Sequence, residues 1–426
     1  MINVTKSYLP NIEKYKSYID EIYKSGWLTN QGPLVQKLEA RLKEYLGVKH
    51  IILVSNGTIA LDIAYKVLDL KGEVITTPFS FVATTSSLLL SGLKPIFADI
   101  DEKSLNLDAN NIEKVITPNT SAILPVHVFG NACEVEKIEK ISKKHNLKVV
   151  YDAAHAFDVK YKDKSVLNYG DISTLSFHST KLFHTIEGGA IITNDDELAK
   201  KVRYFINFGI KNAMEIPYIG TNAKMNEFEA AMGLCVLDDI ESIKESRKNV
   251  IELYKKELSS LVVFQEQNKQ ASQNYSYMPV VFKSEDELLR VQKALNEKEI
   301  YPRRYFYPSL DTLEFIEPKQ ECEISRDISK RILCLPLYVE LENDNQIKIE
   351  YYKNPNHKKF YTVFKAIKNV TTPYFTIIDS DDAYLDDALE ILIKEADQLN
   401  PNKFISVIGH SVNQNGKLVG TLFPFD

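Results

Sequence analysis

Only four cysteines occur in 426 residues, at positions 133, 235, 322 and 334, and no two of them form a C-x-x-C pair. That scatter excludes a disulfide framework and gives no zinc-site spacing, so they read as reduced core residues. A basic excess is also missing: 52 Lys and Arg stand against 58 Asp and Glu, a formal net charge of -6. Neither nucleic acid nor an anionic membrane surface is therefore expected as the main partner. No apolar run reaches the roughly 20 residues of a membrane-spanning helix. The opening Met1-Ile-Asn-Val-Thr-Lys-Ser lacks the apolar core of a signal peptide. The expected location is cytoplasmic, which makes sequons such as those at Asn56, Asn119 and Asn369 accidental. Repeats and low-complexity tracts are absent too, and the length suits two or three domains with a large core.

What is present is an alternation. Ile51–Val54, Glu73–Thr77, Pro95–Ala98, Ala122–Val126, Val149–Asp152, Ile172–Leu175 and Ala190–Thr193 read as strands, with helical periods such as Ile59–Leu70 and Val135–His145 between several of them. Strands and helices in turn mean crossover units, hence an α/β domain over residues 1–240 with a mostly parallel sheet. In such sheets chemistry gathers at the carboxyl ends of strands. From 241 to 341 the pattern changes to a small α+β domain. It has a charged helix from Asp238 to Leu258, an extended Tyr277–Phe282, a helix from Glu285 to Lys298 and a short extended Leu333–Leu337.

The residues that carry chemistry stand at strand ends. Ser176-Phe-His-Ser-Thr-Lys181 puts an amine on a hydroxyl-rich turn, with Gly188-Gly189 soon after. An amine fixed on a turn can condense with an aldehyde, and hydroxyls can hold an anion; pyridoxal 5′-phosphate needs both. Alone, Lys181 reads rather as a surface lysine beside a turn. Ser55-Asn56-Gly57-Thr58 joins a strand to a helix, whose free N–H groups favour an anion while glycine lets a phosphate approach; plain N-capping gives the same string. Tyr151-Asp152-Ala-Ala-His155 leaves a carboxylate in need of a partner. A protonated pyridine nitrogen is one candidate, and the start of the next helix is another. His155 reads as a hydrogen-bonded support, since no second metal ligand stands at suitable spacing. Phe81, in Pro78-Phe-Ser-Phe81, is either a core plug or a flat face for a cofactor ring.

Taken in order, these residues resemble the DegT/DnrJ/EryC1/StrS family of sugar aminotransferases over residues 1 to about 341. Gly26-Trp-Leu-Thr-Asn-Gln-Gly-Pro33, Leu124-Pro-Val-His-Val-Phe-Gly130 and the Lys181 segment are most similar to members that aminate dTDP-4-keto-6-deoxyglucose. The resemblance implies an aspartate-aminotransferase-like fold (pyridoxal-phosphate fold type I) and glutamate as amino donor. It makes Lys181 the Schiff-base lysine and proton shuttle, and Asp152 the partner of the pyridinium nitrogen. Phe81 becomes the stacking ring, and Gly57, Thr58 and Ser176 the phosphate holders. Asn222 would reach the cofactor phosphate of a neighbouring protomer, implying a homodimer with shared sites. Lys224 stands where many relatives have Arg. Arg303 and Arg304 are either diphosphate ligands or solvated surface groups. A histidine replaces the lysine in a dehydrating branch, so Lys181 favours transamination.

Past Leu341 the chain changes character. Residues 350–426, with Asn356-His-Lys-Lys359 and Thr376-Ile-Ile-Asp379-Ser-Asp381-Asp382, resemble part of a family 2 glycosyltransferase of the GT-A α/β type. Asp379 and Asp381 fall at its D-x-D position, where a divalent metal would bridge a nucleotide sugar; an acidic turn capping the next helix is the alternative. Relatives of the aminotransferase type add one more helix after Leu341 instead. A glycosyltransferase remnant, a bifunctional chain and an inactive fusion are thus the rival readings.

Overall fold

A computed structural model describes residues 1–339 and 341, all within one compact unit. The tail, with Asp379 and Asp381, lies outside the described residues. The main sheet has seven strands: β1 (His50–Val54), β2 (Glu73–Thr76), β3 (Lys94–Phe97), β4 (Thr120–Leu124), β5 (Lys148–Asp152), β6 (Ile172–Ser176) and β7 (Gly189–Thr193). Their spatial order is β1-β7-β6-β5-β4-β2-β3. Every pairing is parallel except those of β7, which runs antiparallel to both β1 and β6. β1 shows why helices cover both faces: Ile51 and Leu53 enter one apolar cluster, Ile52 and Val54 the other. With successive side chains on opposite faces, both clusters need a helical layer.

All seven expected strands form, with ends moved by a residue or two. The buried helix Glu227–Asp238, which packs on helices Ile12–Ser25 and Pro33–Leu46, has no periodic signature in the sequence. It is apolar all round (Ala230, Ala231, Met232, Leu234, Cys235 and Val236 are buried), so it carries no amphipathic period. The charged helix that was expected from Asp238 begins after it, at Ile240, and runs to Leu258.

A second, antiparallel sheet joins β8 (Val263–Phe264), β9 (Pro279–Val281) and β10 (Ile332–Cys334). The N-terminal Ile2–Asn3 pairs in parallel with Ile300–Tyr301, so the chain begins on this smaller sheet's side. One apolar cluster unites the two sheets: Phe79, Val126 and Phe129 from loops of the large sheet pack with Val281, Phe306 and Ile332. That seam borders the carboxyl ends of β2, β4 and β5.

Candidate active site

Three strand ends build the first corner. After β1, Asn56 caps helix Gly57–Val67, its side chain accepting the Ile59 N–H at 2.9 Å. The turn crosses directly over the start of β7, where a Cβ on Gly189 would lie 2.7 Å from the Asn56 carbonyl carbon. On the far side a Cβ on Gly57 would lie 2.8 Å from Cβ of Ser176, the last residue of β6. Gly57 and Ser176 therefore meet although two strands, β1 and β6, are separated by β7. Thr58 follows, exposed, in the helix's first turn. Unpaired N–H groups of a first turn beside hydroxyls favour an anion.

The second group surrounds Asp152 at the end of β5. Its carboxylate is only 6% exposed. It accepts hydrogen bonds from Thr84 Oγ1 at 2.8 Å and the Ala154 N–H at 3.1 Å. Ser80 lies 2.8 Å from Thr84 Oγ1 and holds it in turn. Burial pushes the Asp152 carboxyl above its ordinary range, while both hydrogen bonds and the charge of Lys181 pull it back. Phe81 lies between Ser80 and Thr84 and is 52% exposed. The core plug of this loop is Phe79, which is completely buried. Thr84 was not foreseen; a threonine in Ala83-Thr-Thr-Ser-Ser gives no local signal for contact with a residue 68 positions away.

The Lys181 amine, on the turn after β6, donates to the Tyr277 hydroxyl at 3.1 Å. Its field reaches Asp152 and His155. His155 is buried, and desolvation holds it well below its usual value, so its ring is neutral. Its Nδ1 accepts the Phe129 N–H at 3.2 Å, which leaves Nε2 to carry the proton. The ring stacks parallel to Phe129 and Phe306 at 6.2 and 5.8 Å.

Other expected residues lie further out. The Asn222 side chain is exposed and accepts from Lys224 Nζ at 2.7 Å. Its neighbour Ala223 accepts the Ser55 N–H at 2.8 Å, placing this segment beside the first corner. Lys224 also reaches Asn207 at 3.1 Å and sits 4.8 Å over the Phe208 ring. The two neighbouring arginines differ. Arg304 is tied to Glu285 and the Lys330 carbonyl, both at 2.7 Å. Arg303 is exposed, lies 4.7 Å over the Tyr305 ring and has no ion pair among the described residues.

Among known proteins, the DegT/DnrJ/EryC1/StrS aminotransferase family model matches residues 11–350. The glycosyl transferase family 2 model matches residues 337–418, almost entirely outside the described residues. The dTDP-4-amino-4,6-dideoxy-D-glucose transaminase of Shigella dysenteriae is 45% identical, over 80% of this chain and 95% of its own length. The Escherichia coli protein of the same name is 40% identical, over 82% and 96%. The crystal structure of DesI with its TDP-sugar product matches with a TM-score of 0.77 at 31% identity, covering 81% of this chain and 90% of that one. Helicobacter pylori PseC, an aminotransferase in pseudoaminic acid biosynthesis, gives 0.74 at 28% identity, over 79% and 94%. The family model over residues 11–350 and these relatives agree: the chain belongs to the DegT/DnrJ/EryC1/StrS aminotransferase family.

Proposed function

We propose that the chain moves an amino group from glutamate to a dTDP-linked 4-keto-6-deoxyhexose, using pyridoxal 5′-phosphate, to supply an aminosugar for a surface polysaccharide. The observation that carries this reading is that Lys181, on the turn after β6, and the buried Asp152, at the end of β5, stand at the ends of neighbouring parallel strands. The names of the two transaminase relatives support the sugar. The donor set suits the cofactor: an anion corner, a buried carboxylate short of a cation, an exposed aromatic face and a primary amine. When bound, the cofactor supplies an aldehyde for the amine and an electron sink for the carbon that loses its proton. Gly57, Thr58 and Ser176 receive the phosphate. Asp152, held by Thr84 and Ala154, keeps the proton on the ring nitrogen. Phe81, half exposed, would offer its face to the cofactor ring. Lys181 Nζ is the nucleophile and carries the proton to and from the substrate carbon. Asn222 reaches the phosphate site of a second copy, making the homodimer's sites shared. Residues 1–240 carry the cofactor in this reading, 241–341 form the smaller domain, and 350–426 are a glycosyltransferase-like piece. Incubating the full chain with glutamate and candidate keto-sugar nucleotides, with products read by NMR, tests it; no amination of any dTDP-keto-sugar refutes it.

Two variants divide the site. A methyl group in Gly57→Ala has no room before Ser176. Cofactor affinity, measured by titration, is expected to fall more than about tenfold, as loss of a charge-assisted contact implies. Unchanged affinity removes Gly57 from the cradle. Arg303, exposed and without an ion pair among the described residues, is assigned to the substrate's diphosphate. Arg303→Met is expected to raise KM for the sugar nucleotide by about tenfold with kcat held within about twofold, as loss of uniform binding requires. Arg304→Met, which breaks an ion pair within the fold, lowers Tm instead; steady-state kinetics and melting curves separate the two.

A further inference from the structure

We infer that Tyr277 is a positioning residue for the reacting amine: its hydroxyl fixes Lys181 Nζ whenever the amine is not covalently engaged. The inference rests on Lys181 being the reacting group, as proposed above. The contact is direct. Lys181 Nζ lies 3.1 Å from the Tyr277 oxygen and 5.7 Å from the ring centroid. A phenol hydroxyl accepts from an ammonium and donates to a neutral amine, so it can hold Nζ in both protonation states that a proton shuttle must visit. Lysine's four-carbon stem is otherwise free to rotate, at a cost in entropy each time it returns to the attack geometry.

Tyr277 is itself fixed. Just before it, Asn274 Nδ2 donates to the carbonyls of His155 and Phe157 at 2.8 and 2.9 Å, and Ser276 Oγ donates to the His155 carbonyl at 3.2 Å. These bonds tie a segment leading into β9 of the small sheet to the loop that leaves Asp152. The phenol ring is wedged between His155 at 4.7 Å and Phe129 at 5.4 Å, with Tyr305 edge-on at 6.2 Å. A ring packed on three sides keeps one orientation. Packing alone would need only the ring, and phenylalanine would serve. The hydroxyl on the amine is what a structural plug leaves unexplained.

The test compares the wild-type full chain with Tyr277→Phe, which keeps the ring, and Tyr277→Ala. In cofactor-free protein, mild acylation followed by peptide mass spectrometry reads the reactivity of the Lys181 amine. Tyr277→Phe is expected to speed labelling of Lys181 several-fold, with other lysines unchanged, because the amine has lost its hydrogen-bond partner. With cofactor and substrates, kcat is expected to fall about tenfold while KM and Tm stay near wild type, the size of one hydrogen bond to a charged group. Wild-type labelling and wild-type kcat in Tyr277→Phe overturn the inference and leave the function standing. A wild-type chain that takes up no cofactor overturns the function and this role with it; the labelling arm, which needs no cofactor, then shows whether the contact itself exists.

Discussion

Lys181→Ala is expected to lower kcat by about 10⁴-fold or more, the upper range for losing a positioned proton-transfer group, and here the nucleophile goes with it. Lys181→Arg should fare no better. A guanidinium keeps the charge beside Asp152 and Tyr277 but is neither a nucleophile nor a base at neutral pH. The pair of variants thus separates charge from chemistry: if Arg restores the rate, the residue serves only as a cation near Asp152. Single-turnover mixing with excess glutamate, followed by product analysis, measures both. Activity of Lys181→Ala within tenfold of wild type would remove the amine from the reaction.

Asp152→Asn should give the second largest effect, with opposite signs in two states of the protein. With cofactor, removing one partner of a buried charge pair is expected to cost about 10²–10³-fold in kcat. Without cofactor, the buried carboxylate has two hydrogen-bond donors and only the distant help of Lys181, and its folded-state affinity for a proton is raised. A carboxyl raised on folding favours the native state at low pH, and that contribution is lost as pH rises from the ordinary carboxylate range through the raised folded value. Cofactor-free Asp152→Asn is therefore expected to melt on the order of 2 °C above wild type at pH 7–8. The gap should close as pH falls through the raised folded value into the ordinary carboxylate range. Saturating cofactor should reverse the order, since only the aspartate brings a negative charge to a protonated ring nitrogen. Melting curves at several pH values, with and without cofactor, give all the comparisons; an apo wild type more stable than Asn at pH 8 contradicts the raised carboxyl.

The sequence shows this site unevenly, for physical reasons. Lys181, Asp152 and Gly57 are legible because each follows a short apolar β run, and a polar or glycine residue at such an end has few structural causes. Their meeting is not legible locally. Gly57 touches Ser176 only because β7 runs back between β1 and β6 and starts with a glycine over which Asn56 can cross. Thr84 and Tyr277 gave no signal at all: one is a hydroxyl among several in a short helix, the other an aromatic in an aromatic-rich stretch, and both act across long separations. The helix Glu227–Asp238 was hidden because burial on every side erases the period by which helices are read. Phe79 and Phe81 could not be told apart from the string, yet one fills the core and the other faces outward.

The most direct measurement is borohydride reduction of the full chain equilibrated with pyridoxal 5′-phosphate, followed by peptide mapping of the label. One cofactor per chain, on the peptide carrying Lys181, is the expected result. Label spread over surface lysines, or none on Lys181, contradicts it.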